Sequence, residues 1–130
     1  MPSAYAHYRF GRQVCPLLDS AGQRTILSRP EPFLIGLHGP DIFFYHHPLG
    51  SSAVKQMGHR MHAESAEAFF RPAADRLALH PDRQAGLSYL YGFLCHFALD
   101  SVCHPYVEAQ VKRTRFAHME LEAEFDRILM

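Results

Sequence analysis

A chain of 130 residues, 48% apolar and 20% charged, can bury one substantial core and no second one. Thirteen Lys and Arg balance thirteen Asp and Glu, and the chain adds ten histidines, three cysteines and no Trp. With zero net charge and no basic run it has no electrostatic footprint for duplex nucleic acid or an anionic membrane surface, so any phosphate chemistry must draw its positive charge from bound metal.

No stretch pairs a basic segment with an apolar run and a small-residue cleavage site, and no run approaches the ~18 apolar residues of a membrane span. The expected location is therefore cytoplasmic. An odd cysteine count argues against a disulfide framework. Cys15 and Cys95 read as small buried hydrophobes; Cys103 falls between His96 and Asp100 in helical projection, where a spare metal ligand is the lesser reading.

Strand-like alternation is nearly absent, and the chain reads as a single all-α domain. Ser3 is the candidate N-cap of a first helix over about residues 4–18, which carries His7 among Tyr5, Tyr8, Val14 and Leu17. Asp19 to Arg29, with Gly22, reads as a turn and a short polar segment. Pro30 to Pro40 holds three prolines and two glycines, so one short helical piece ending at Gly39 is expected. Asp41 follows on a Gly-Pro turn beside the apolar run IFFY, where a carboxylate needs a partner; it is a candidate ligand or base.

The block from Pro48 to Ser52 reads as a loop. A helix is expected from about residue 54 to 70, with His59 and His62 at i, i+3 and a kink or restart at Pro72. Pro81-Asp82 makes another break. The next helix is expected over about residues 84–103, ending against Pro105. Thr114 is the candidate cap of a last helix that sets Leu121, Phe125, Ile128 and Leu129 on one face. That helix reaches Met130 still amphipathic and without a stop signal, as a fragment of something longer would. His38, His46, His47 and His80 fall in or beside loops and read as solvated.

The most informative stretch is YGFLCHFALDSVCHP, residues 91–105, which sets His96, Asp100 and His104 at i, i+4 and i+8 in an apolar run. On a helix these three share one face, yet His96 and His104 lie about 12 Å apart along the axis. That is too far for both to grip one ion through bonds of about 2 Å, so the helix suits two neighbouring metals with Asp100 between them. His118 and Glu122 form a second i, i+4 pair that can chelate one ion, although Glu120, Glu122, Glu124 and Asp126 also read as a solvated acidic face.

His7, Gly39-Pro40-Asp41, Met61-His62, the HxxxDxxxH of His96 to His104 and the HxxxE of His118 to Glu122, in that order, resemble the zinc-dependent phospholipase C family. Single-strand zinc nucleases share that family's fold. The resemblance implies an all-α bundle holding two or three Zn²⁺ ions between its helices. Asp41, His62, His96 and Asp100 would hold one zinc; Asp100 would bridge to a second bound also by His7; and His104, His118 and Glu122 would hold the third. Asp41 would be the catalytic base acting on the attacking water. The implied function is hydrolysis of a phosphodiester, a phospholipid before others. Phe43, Phe44 and Tyr45 are candidates to line the cleft, with plain core packing the favoured reading of each. A single-strand nuclease or nucleotidase is one alternative, and a non-catalytic domain in which zinc contributes to folding is another. A helical phosphohydrolase with adjacent His-Asp ligands ranks last, since no His directly precedes an Asp.

Overall fold

The structure, a computed structural model, describes residues 4–47, 50–113 and 117–130. Among these residues it contains seven α-helices, two 3₁₀ segments and no strand. Helix α1 (Ala4–Val14) ends where Pro16 turns the chain into a 3₁₀ turn, Cys15–Leu17. The Asp19–Arg29 segment is a true helix, α2 (Ser20–Ser28), and not a turn. Asp19 starts it by accepting a hydrogen bond from the Gly22 amide at 2.8 Å, a cap that outweighs the weak helix propensity of the Ser, Gly and Thr that follow.

The proline-rich stretch is also more helical than expected. Helix α3 (Pro30–Gly36) starts with prolines in its first turn, where a missing N–H costs nothing. A 3₁₀ segment, Gly39–Tyr45, then carries Asp41. Helix α4 (Ala53–Ala63) begins at Ser52, whose Oγ accepts from the Lys55 amide. The expected helix over 54–70 breaks at Glu64-Ser65, because Ser65 caps a new helix, α5 (Ala66–Leu79). Pro72 lies inside this helix and does not restart it. Pro105 likewise lies inside α6 (Arg83–Arg113), which runs ten residues past the expected end at 103. The carbonyls these two prolines leave without amide partners belong to the exposed residues Ala68 and Ser101, where water can serve them. The Pro81-Asp82 break is present, and Asp82 caps α6 through the Ala85 amide at 3.0 Å. Ser3, Thr114 and the first part of the Pro48–Ser52 loop lie outside the described residues.

Helix α6 is the axis of the fold. Helix α3 crosses it so closely that a Cβ at Gly36 would stand 2.2 Å from the Tyr89 carbonyl oxygen, and one at Gly92 would stand 2.1 Å from that of Phe33. The crossing is locked at one end by Ser88 Oγ, which donates to the Arg29 carbonyl at 2.6 Å. Ile26, Phe33, Leu37 and Cys95 form the buried core beside it, with Phe10, Val14, Cys15 and Tyr91 packed around. Cys95 is buried, Cys15 is half-buried, and burial pushes the Cys95 thiol up to about 11.

Helix α7 (His118–Leu129) departs from its expected amphipathic reading. Its two buried residues are Glu122 and Asp126, while Phe125 and Ile128 are exposed. Asp126 is no part of a solvated face. Its two carboxylate oxygens accept from the Tyr5 and Ala6 amides at 3.1 and 3.0 Å. The last helix therefore caps the first, across 120 residues, and holds His7 beside the α7 ligand pair.

Candidate metal centre

Five elements deliver donor atoms to one region. His7 comes from α1, Asp41 from the second 3₁₀ segment and His62 from α4; His96, Asp100 and His104 come from α6, and His118 and Glu122 from α7. They fall into three groups, each with its ligand atoms within 4.8 Å of one another: His7, His96 and Asp100; Asp41, His62 and His96; His104, His118 and Glu122. All eight residues singled out by spacing and resemblance are thus brought together. His62, and not His59, is the member of its pair that reaches the site; His59 is exposed and lies 4.7 Å from the Phe44 ring. Cys103 joins none of the three groups among the described residues.

Asp100 is the hub. Its Oδ1 faces His7 Nε2 at 3.4 Å, and its Oδ2 faces the Nε2 atoms of His96, His104 and His62 at 3.4, 3.5 and 3.6 Å. Asp41 Oδ1 lies 2.9 Å from His62 Nε2, and Glu122 Oε1 lies 2.7 Å from His118 Nε2. Four imidazoles converging on one buried carboxylate at 3.4–3.6 Å sit too far out for good hydrogen bonds, yet at a spacing that an ion between them would bridge.

The donor atoms themselves support a metal. His7 Nε2, His62 Nε2, His96 Nε2, His104 Nε2 and Asp100 Oδ1 are buried and make no hydrogen bond of normal geometry among the described residues. A fold does not keep several such atoms dry without a ligand for them. Two of the rings are also oriented for coordination. His96 Nδ1 lies 3.0 Å from the Leu37 carbonyl and His62 Nδ1 lies 2.7 Å from that of Gly58. A carbonyl only accepts, so each Nδ1 carries the proton and each Nε2 keeps its lone pair for a metal. Gly39 completes the cradle. It holds a positive φ of 52°, and a Cβ there would stand 2.4 Å from the His96 ring. His96 also stacks on His7 with ring centroids 4.0 Å apart. The nitrogen and oxygen donor set fits zinc.

Electrostatics give the metal-free site a pH dependence. Burial lowers His7, His104 and His118 below the ordinary imidazole value, for His7 against the opposing pull of Asp100. An unfolded chain protonates these groups near pH ~6.5, before the folded chain does, so each destabilises the fold as pH falls through that value. Burial also works against charge on His62, but the Asp41 contact overcomes it and raises the group. His62 therefore contributes stability at low pH that is lost as pH rises through its folded value. Three groups oppose one, and the chelated protein is expected to unfold at lower urea at pH ~5.5 than at pH ~7.5. Equal midpoints would show that these imidazoles are not desolvated in the metal-free state.

A cavity of about 290 Å³ opens onto the centre, where His62, His96, Asp100 and His104 form its polar wall. Its apolar wall comes from rings other than those beside Asp41. Phe69, Phe70, Phe93 and Phe97 line it, while Phe43, Phe44 and Tyr45 do not. Phe44 packs instead behind the site, 5.6 Å from the His62 ring. The carboxylates of Glu64 and Glu108, both exposed, stand among the lining residues.

Sequence reasoning missed Asp126, the residue that ties His7 to α7. A signal existed, since Asp126 stands four residues beyond Glu122 on the stripe begun by His118. Residues 6–130 match the family described as zinc dependent phospholipase C, while no curated protein and no solved structure matches the chain.

Proposed function

Since the chain belongs to the zinc-dependent phospholipase C family, we propose that it hydrolyses phosphodiesters with zinc-activated water, a phospholipid being the favoured substrate. The convergence of four imidazoles on Asp100 carries this reading, because one carboxylate shared in this way suits a cluster of two or three ions. When bound, zinc supplies a Lewis acid and brings the pKa of coordinated water from roughly 15.7 to about 7.

The chain's own residues do the rest. Asp41 is buried, held next to the Gly39-Pro40 turn and paired with His62, so it can take the proton from the attacking water at its carboxylate. The Leu37 and Gly58 carbonyls keep His96 and His62 in one tautomer. The phenylalanine wall excludes water and offers an apolar surface to the ester. Glu64 and Glu108 beside the cavity repel a polyanion and favour a substrate whose far end is neutral or cationic. A nucleotide reading draws on the same phenylalanines as a stacking surface. However, Phe69 and Phe93 already stack on each other at 3.9 Å, which leaves fewer ring faces for a base.

Asp41→Asn is expected to lower turnover by about 10²–10⁴-fold while the protein keeps most of its metal. Turnover of a soluble short-chain phosphatidylcholine, read beside elemental analysis of the same preparation, tests this. Parallel loss of metal and rate would make Asp41 a ligand only. A zinc-replete protein that hydrolyses no phosphodiester would leave the metal a structural role.

A further inference from the structure

The wall formed by Phe69 is shared. On its other side a second, almost wholly apolar groove of about 400 Å³ runs between α5 and α6. Small residues open it: Ala73 on α5, Ala85 and Gly86 on α6. Gly86 matters most, because a Cβ there would stand 2.6 Å from Leu77 Cδ1 and close the trough. Leu77, Tyr89 and Leu90 form its sides, and Arg76 and His80 stand exposed at its far end. From Phe69 to His80 the helix advances roughly 16 Å.

We propose that this groove holds an unbranched aliphatic chain of the substrate, one end of which lies at the metal centre. The inference rests on the phosphodiesterase reading and deepens it to amphiphilic esters. Three observations commit the groove to this occupant. It begins at the residue that also lines the metal cavity, so a molecule anchored at the centre can pass Phe69 into it. It is lined from two neighbouring helices over the roughly 16 Å from Phe69 to His80, a span that suits an extended chain better than a planar ring. Its lining offers almost no polar partner until the exposed Arg76 and His80, whereas a peptide would need backbone hydrogen bonds.

The lining residue that the two cavities share is an aromatic side chain, Phe69. Phe69 stacks on Phe93, one helical turn before His96. Rotation of the half-buried Phe69 side chain would let a chain pass from one cavity to the other.

The test uses the zinc-loaded protein and zwitterionic alkyl sulfobetaines below their micelle concentrations; these carry the chain without a scissile phosphate. Titration calorimetry should show affinity rising roughly two- to fourfold per methylene from butyl to dodecyl. Ala73→Trp, placed in the trough and away from every metal donor, should flatten that dependence. In parallel, the variant should hydrolyse a dibutyryl phosphatidylcholine as the parent does, and lose the rate advantage of the dioctanoyl ester. Because the parent has no Trp, fluorescence of the introduced indole reports whether the variant is folded; should it not fold, the parent's calorimetric series decides alone. Chain-length dependence without hydrolysis of either ester would sink the phosphodiesterase reading and leave the groove. Hydrolysis without chain-length dependence would overturn the groove. Dimerisation of the parent in sedimentation, abolished by Ala73→Trp and without chain-length dependence, would overturn it in favour of a second copy.

Discussion

Asp100→Ala is expected to remove two of the metal ions the protein binds, not one. Its Oδ1 serves the group containing His7, and its Oδ2 lies between His96, His104 and His62. Without the carboxylate the first group retains only His7 and His96, a pair of neutral imidazoles with no anionic partner. The second group loses the Oδ2 that faces both His62 and His96, and with it the carboxylate that joins Asp41 in balancing an ion's charge. The group of His104, His118 and Glu122 has its own carboxylate and only one donor, His104, beside Asp100, and should keep its ion. Elemental analysis should therefore fall towards one equivalent, with turnover at background. Circular dichroism establishes that the helices persist, since Asp100 is held by imidazoles and not by the core. Retention of every ion would remove Asp100 from the hub assigned to it.

Gly92→Ala should be the most damaging substitution remote from the metal donors. The added methyl group would meet the Phe33 carbonyl oxygen at 2.1 Å and the Gly36 backbone at 3.0 Å. Neither can swing aside as a side chain would, so α3 must lift from α6. Overpacking usually costs about 1–3 kcal/mol, and a backbone clash belongs at or above the upper end. For a domain of this size that is a fall in Tm of about 10 °C or more. The damage should reach the metal centre, because α3 carries the Leu37 carbonyl that orients His96, and Gly39 follows three residues after Gly36. Gly50→Ala is the control: its Cβ would meet nothing within 4 Å and should leave Tm unchanged. A Gly92→Ala protein that melts with the parent would mean the two helices do not cross as closely as described.

The ligand constellation was legible because it is written in local spacing. His96, Asp100 and His104, like His118 and Glu122, recur every four residues, and an α-helix turns that interval into one face. Membership of the family follows the same residues. The helix boundaries were less legible where one local signal overrode another. Asp19 as a cap made a helix of a segment read as a turn. Pro72 and Pro105 were read as breakers, but the carbonyls they strand belong to exposed residues, which removes much of the penalty. Asp126 was misread for a different reason. Its partners are amides of the first helical turn, and no window along the chain contains both. The cavity wall was illegible for the same reason: Phe43 and Phe44 adjoin Asp41 in sequence, but the rings beside the centre arrive from α5 and α6.

The bond between Asp126 and the amides of Tyr5 and Ala6 also orders events in time. His7 leaves the ribosome well before Asp126, and its helix is pinned only once Asp126 has emerged, 120 residues after Ala6. Contacts of such separation form late, because the loop they close must be ordered first. During synthesis the early histidines hang on a chain that has no pocket to offer them. The pocket that would hold a metal is therefore complete only after α7 has emerged, and loading is expected late in folding.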